Sequence, residues 1–302
     1  MNNKNFNQMK SKTTIFSATL FLFALTVLGQ QSGNSVIGQH YNYSQTNKSQ
    51  TVDKLYLSDT SFVIQANVLI NVIADSYVAT FGVSESSTTL KDANIKIDKR
   101  IQDFISALTK IGIAQADIYV DMTTQTQISD YKVNGNYAEQ YVSGFEQKKN
   151  VIVSFKNIKD LDKMIVTAAD YGIYDLAKVD YIVTDINKVY TKLFQTSMDA
   201  INIKKELYVK ATNITLSSSS EIFGESFYSF YPQQLYKSYT PNITKAYYNY
   251  SSSGKRKDLM KNTTYYYDKI NYSGFNKVIN PIVTEPTVEF VLMLQIKFDI
   301  EK

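Results

Sequence analysis

The sequence predicts an α+β domain: helices covering a mixed or antiparallel sheet, with a Tyr-rich insertion before the last strand. Three patterns carry that prediction. Residues 62–72 and 288–300 alternate apolar with mostly polar side chains, the period of two that a strand with one buried face requires. Residues 90–111 instead space their apolar side chains three and four apart, which gathers them on one side of an α-helix. Tyr, Asn and Ser crowd residues 222–275, where aliphatic side chains are too sparse for a separate core.

In chain order, residues 1–12 are polar and carry Lys4, Lys10 and Lys12, and an apolar run over 15–28 follows, broken only by Ser17, Thr19 and Thr26. The run is too short to span a bilayer comfortably, and its order of basic, apolar and small residues is that of a cleavable secretory signal. Gly29 stands at the cleavage position, so residues 1–29 are expected to be removed and the mature chain to begin near Gln30. Residues 30–60 are rich in Gln, Asn, Ser and Thr and predict a flexible lead-in. No second apolar run of spanning length follows. The mature chain is therefore expected in the periplasm, or extracellular and associated with the outer membrane, without a transmembrane segment.

The domain proper is expected over 61–302. Phe62, Ile64, Ala66, Val68, Ile70 and Val72 form one strand, Ala74-Asp75-Ser76 interrupts it, and Tyr77, Ala79, Phe81 and Val83 resume the alternation. This predicts two adjacent antiparallel strands. Thr89 with Asp92 starts a helix, Ile97, Ile101, Phe104 and Leu108 mark its buried stripe, and Gly112 ends it. Segments 118–131 and 137–155 flank Asn134-Gly135, a dipeptide suited to a tight turn, and predict a long hairpin. Asn157 and Asp160 open a second helix through Ile158, Leu161, Met164, Ile165 and Ala168, which Gly172 closes. A strand is expected over 176–184. A third helix carries Val189, Leu193, Ala200, Ile201 and Leu207, and a long strand closes the chain.

Composition narrows the chemistry. The chain has no Cys and one His, His40, which excludes disulfides, thiol nucleophiles and clustered His ligands, so no metal or cofactor is predicted. Removing the three lysines of the leader from 32 basic residues leaves 29 against 28 acidic ones, a balance that gives no support for nucleic-acid binding. Lys255-Arg256-Lys257, beside three serines and a glycine, has the composition of a solvated loop tip. No phosphate-binding loop or nucleophile elbow is present. Glu139 with Glu146, or Glu221 with Glu225, could pair on a glycoside, but water-facing positions are expected for both, and the chain is expected not to be an enzyme. The aromatic side chains suggest an interaction surface instead. Tyr137, Tyr141 and Phe145 lie on the hairpin, and Tyr231, Tyr247, Tyr248, Tyr265, Tyr266 and Tyr267 in the insertion. Tyr offers a broad flat face with a polar tip, suited to sugar rings or protein. A homo-oligomer is expected, with an envelope protein or glycan as the alternative partner.

The element order resembles that of the SIMPL-domain family of bacterial periplasmic and outer-membrane-associated proteins. Residues 72–83, with Asp75 before a strand, resemble its turn and second strand; residues 108–118, with Leu108, Gly112 and Asp117-Ile118, resemble its helix end. Residues 155–163 and 286–298 resemble the strand-to-helix junction and the final strand. The third helix departs from the family's alanine-rich pattern at Tyr190, Phe194 and Tyr208. The resemblance implies a non-enzymatic envelope protein in a family with ring-like or channel-like oligomers and links to stress tolerance or immunogenicity. It supplies no catalytic residues.

Overall fold

A computed structural model of the chain describes residues 56–57, 60–239 and 263–301. The predicted signal, His40, the basic run at 255–257, Tyr247 and Tyr248 lie outside them. Strands β1 (Tyr56–Leu57), β2 (Ser61–Val72), β3 (Ser76–Ser87), β4 (Ile118–Asn134), β5 (Tyr137–Phe155) and β6 (Asp175–Ile182) precede β7 (Leu216–Phe230), β8 (Tyr236–Tyr239), β9 (Thr264–Tyr267), β10 (Lys277–Ile279) and β11 (Val288–Ile300). The helices are α1 (Leu90–Lys110), α2 (Lys159–Asp170), α3 (Ile186–Thr212) and the single turn α4 (Pro232–Leu235).

The α+β class holds, with the strands divided between two main sheets. Sheet I runs β1-β2-β11-β7, all antiparallel, with β10 added in parallel along Val68 to Ile70 of β2. Sheet II runs β4-β5-β3-β6, antiparallel throughout. β8 and β9 form a separate two-stranded ribbon. The expected pairing of β2 with β3 is therefore corrected: the two strands belong to different sheets. Asp75 holds the crossing in place. Its carboxylate accepts the Thr184 hydroxyl at 2.8 Å and the Thr184 amide at 3.1 Å, and its own amide donates to the Ile182 carbonyl. Alternation identifies a strand, but it carries no information about which neighbour completes its hydrogen bonds.

Sheet II packs its inner face on α1 and α2. Thr89 caps α1 by accepting the Asp92 amide, and Gly112 takes φ of 100° after the last turn while Ile113 donates back to the Leu108 carbonyl. This left-handed close satisfies the final carbonyls. Ile97, Ile101, Phe104 and Leu108 are buried against Tyr77, Ala79, Phe81 and Val83 of β3 and Val151 and Val153 of β5. Phe81 and Phe104 meet edge to face at 5.5 Å, a favoured aromatic geometry. Met164 and Ala168 of α2 complete this core.

Sheet I packs one face on α3, whose buried positions Val189, Leu193, Ser197 and Ile201 recur every four residues. The bulky side chains at which α3 departs from the family pattern contribute to this packing. Tyr190 meets Phe227 edge to face at 5.5 Å, Phe227 stacks on Phe290 at 5.9 Å, and Tyr208 meets Phe62 at 5.8 Å. Leu207, expected on the stripe, is 60% exposed, because it falls two positions beyond the four-residue row. Residues 222–230, which composition places in an insertion, instead belong to β7, the outer strand of sheet I. An edge strand pairs on one side only and tolerates the polar run Ser217 to Ser220, which masks its alternation.

Candidate functional site

β4 and β5 pair from Ile118 with Val153 out to Asn134 with Tyr137, with register shifts after Met122 and after Ile128, whereas β3 accompanies β5 only as far as Phe145. Beyond that point the hairpin is a two-stranded ribbon that pairs with no third strand among the described residues. Its loop is Gly135-Asn136, one residue on from the expected dipeptide, and Gly135 takes φ of 62°. Positive φ confined to the first loop position is the pattern of a II′ turn. At the base, a Cβ on Gly144 would stand 2.8 Å from the Ser87 carbonyl oxygen, so the close approach of β3 requires glycine there.

Every residue from 124 to 142 is exposed. Tyr131, Val133 and Tyr137 are 62%, 72% and 82% exposed, and Tyr141 and Val142 are also largely open. Phe145 is half-buried where the ribbon joins sheet II. Of the expected hairpin trio, Tyr137 and Tyr141 therefore lie on the projection and Phe145 at its root.

The second aromatic group lies elsewhere. Tyr231 precedes α4, whose Gln233 side chain donates to the Val179 carbonyl of β6. Tyr265 and Tyr266 are partly exposed on β9, opposite Ser238 and Lys237. Tyr267, opposite Tyr236, turns inward. Its hydroxyl donates to Glu289 Oε1 at 2.9 Å and contacts the Thr287 hydroxyl at 3.3 Å. The hairpin tyrosines thus sit on sheet II, and the β9 tyrosines beside the end of sheet I.

Glu289 was not recognised from the sequence. It is fully buried at the start of β11, with Oε2 accepting the Ile270 amide at 3.3 Å. Burial raises its carboxyl above the usual carboxylate range, against the opposing pull of the Tyr267 and Ile270 donors. Burial also raises the Tyr267 hydroxyl, and the Glu289 charge adds to the shift. The segment carrying Tyr267 and Ile270 is tied to β2 as well. Asn71 Nδ2 donates to the Tyr272 hydroxyl at 2.8 Å and the Asn280 carbonyl at 2.9 Å, and Asn276 exchanges two bonds with the Asn67 backbone. Residues 268–287 form a strap closed by polar side chains. A signal was available in the sequence: Val291 and Met293 share the alternate register with Glu289, so β11 has apolar residues on both faces and no obvious water-facing side.

The paired carboxylates do not converge. Glu139 and Glu146 stand seven residues apart on β5, roughly 20 Å along a strand, beyond the separation a glycosidase pair needs. In β7 an irregularity between Ile222 and Gly224 turns Glu225 toward Tyr190, whose hydroxyl donates to it at 2.7 Å, while Glu221 pairs with Lys297 at 2.8 Å on the other face. Among the described residues no group of three or more His, Cys, Asp or Glu could hold a metal ion, and no helix is long and apolar enough to cross a membrane.

Residues 63–256 match the family described as SIMPL: Protein of unknown function (DUF541). The match spans α1, both long arms of the hairpin and β7. No curated protein matches the chain.

Proposed function

Because the chain belongs to the SIMPL family, we propose that it is a non-enzymatic protein exported to the cell envelope, and that its hairpin ribbon is the element through which copies assemble. The observation that carries this reading is the uncovered ribbon itself. Tyr131, Val133, Tyr137 and Val142 present large apolar surface to water on a two-stranded projection, which is marginal alone and gains by packing or edge pairing. Symmetric closure between copies would cover it. Sedimentation of the mature chain beside a version with residues 132–140 replaced by a short Gly-Ser turn tests the idea. An oligomer that dissociates on replacement is expected; a monomeric parent removes the proposal, and an oligomer indifferent to the change moves the contact to the Tyr-rich segment.

Export rests on the lysines before the apolar run at 15–28, and terminal sequencing from the native envelope fraction is expected to start within a few residues of Gln30. An intact Met1 would count against cleavage. The non-enzymatic reading rests on the separated carboxylates, and glycoside or peptide hydrolysis by the pure mature chain would reverse it. A role in envelope stress tolerance extends the same proposal; comparing deletion and complemented strains under oxidative and osmotic stress tests it. Exposed Tyr265 and Tyr266 favour a second reading, a binding module for glycan or protein. Glycan-array binding lost on Tyr265→Ala with Tyr266→Ala would support it.

A further inference from the structure

A cavity of about 740 Å³ opens between the end of β2, the first turns of α3 and the strap at 280–287. That volume lies within the range of about 300–1,000 Å³ typical of small-ligand sites. Its floor is apolar: Ile70, Val72, Val183 and Val189 line it and are buried or half-buried. Ile73 and Ile282 stand at its lip, 57% and 89% exposed, which leaves apolar surface in water.

Both signs of charge line the cavity around this floor. Lys188 and Lys192, one turn apart on α3, are exposed, and their ammonium groups meet no acceptor among the described residues. Lys188 also sits in the first turn of a 27-residue helix, where the helix dipole favours an anion over a cation. An anion placed there would meet two lysines, beside a helix end whose Lys188 amide Asp185 already caps. Three acids also line the cavity. Two of them are committed: Asp75 to Thr184, and Asp185 to the Lys188 amide at 2.9 Å as the helix cap. The Thr184 bonds hold the Asp75 carboxyl below the usual range, so it stays ionised. The third, Glu285 on the strap, is exposed and its carboxylate has no donor among the described residues.

We propose that this cavity binds a short apolar peptide with free termini, its carboxylate at Lys188 and Lys192, its ammonium at Glu285 and its side chains on the Ile70, Val72, Val183 and Val189 floor. A purely anionic amphiphile would satisfy the lysines and floor but leave Glu285 facing apolar chain. A purely cationic one would leave both lysines unmatched. The strap supplies one wall and is fastened by Asn71, whose backbone carbonyl accepts Asn280 Nδ2 at 3.1 Å, so the site depends on the clasp and not on the hairpin or on assembly.

Calorimetric titration of the full mature chain with trileucine tests this, alongside N-acetyl-trileucine amide and dodecanoate. Saturable one-to-one binding of trileucine is expected, weakened roughly tenfold or more by capping both termini, by K188E with K192E, and by E285K, since each removes a charge-assisted contact. All three positions are exposed, and unchanged far-UV circular dichroism would show that the variants fold. Methyl resonances of Val72, Val183 and Val189 should move during the titration. Absence of saturable binding at millimolar peptide, equal affinity for the capped form, or shifts confined to other methyls would overturn the proposal. Dodecanoate binding more tightly than trileucine and indifferent to E285K would also overturn it, in favour of an anionic-lipid site.

Discussion

Sheet I and sheet II are both antiparallel and both lean on long helices, yet they bury their strands differently. In sheet II, β3 alternates buried and partly exposed residues, because α1 and α2 cover one face while the other meets water. In sheet I, residues 62–71 of β2 are all buried, with α3 over Phe62, Ile64, Ala66, Val68 and Ile70 and the strap tied to Asn67 and Asn71. One cover is apolar and interlocking; the other is built from hydrogen bonds. The first is expected to set global stability, the second to open locally.

The largest effect should come from the apolar cores. Phe104→Ala in sheet II and Ile296→Ala in sheet I each remove a buried side chain, at an expected cost of about 2–5 kcal/mol. Both should lower one cooperative melting transition, because Tyr181 packs into the cores of both sheets. Two separate transitions in calorimetry would divide the molecule at that residue.

The polar cover should respond more weakly and more locally. Tyr267→Phe leaves Glu289 Oε1 without its donor, at an expected cost of about 1–3 kcal/mol. Hydrogen exchange should quicken at the Ile270 and Asn276 amides before it does at those of β3. Equal acceleration in both places would mean that the strap belongs to the global unit.

A smaller effect is expected from pH. The folded carboxyl of Glu289 is raised above its unfolded value of about 4.3, so its proton favours folding. That contribution is complete below the unfolded value and is lost as pH rises through the folded one. Glu289→Gln cannot titrate. Thermal melts of both proteins at pH 7 and pH 4.5 should show the native chain gaining on the variant at the lower pH. A constant difference would show that the carboxyl titrates normally. The smallest change should be Lys99→Ala, on the exposed side of α1, whose melting temperature should stay close to the parent's by the same melts despite its 2.8 Å pair with Asp103. A loss as large as that of Phe104→Ala would mean that the register of α1 is wrong.

The legibility of these regions in sequence follows their covers. The α1 stripe, the Gly112 and Gly172 helix ends and the hairpin could be read because local periodicity and turn chemistry decide them. Sheet membership could not, since the partner of β2 is β11, more than 200 residues away, and only Asp75 and Thr184 mark the crossing. β7 escaped because Ser217 to Ser220 and its irregularity at Ile222 break the period. Of the expected surface, Tyr137 and Tyr141 stand exposed on a ribbon that is open on both faces, whereas Tyr267 is drawn inward by a carboxyl that composition alone could not place. The cavity draws on β2, α3 and the strap, so no contiguous stretch announces it.

The Gly135-Asn136 tip has a consequence for descent. Among the described residues each arm of the hairpin beyond Phe145 pairs with the other alone, so its reach can lengthen or shorten without disturbing a core residue. Such change is quantised. Removing two residues from each arm draws the tip back by about 7 Å and preserves which side chains share a face. Removing one from each exchanges the faces outright, turning Tyr131 and Val133 to the side their neighbours now occupy. Relatives with even steps in arm length could keep one contact surface at different reach, while odd steps would found a new one.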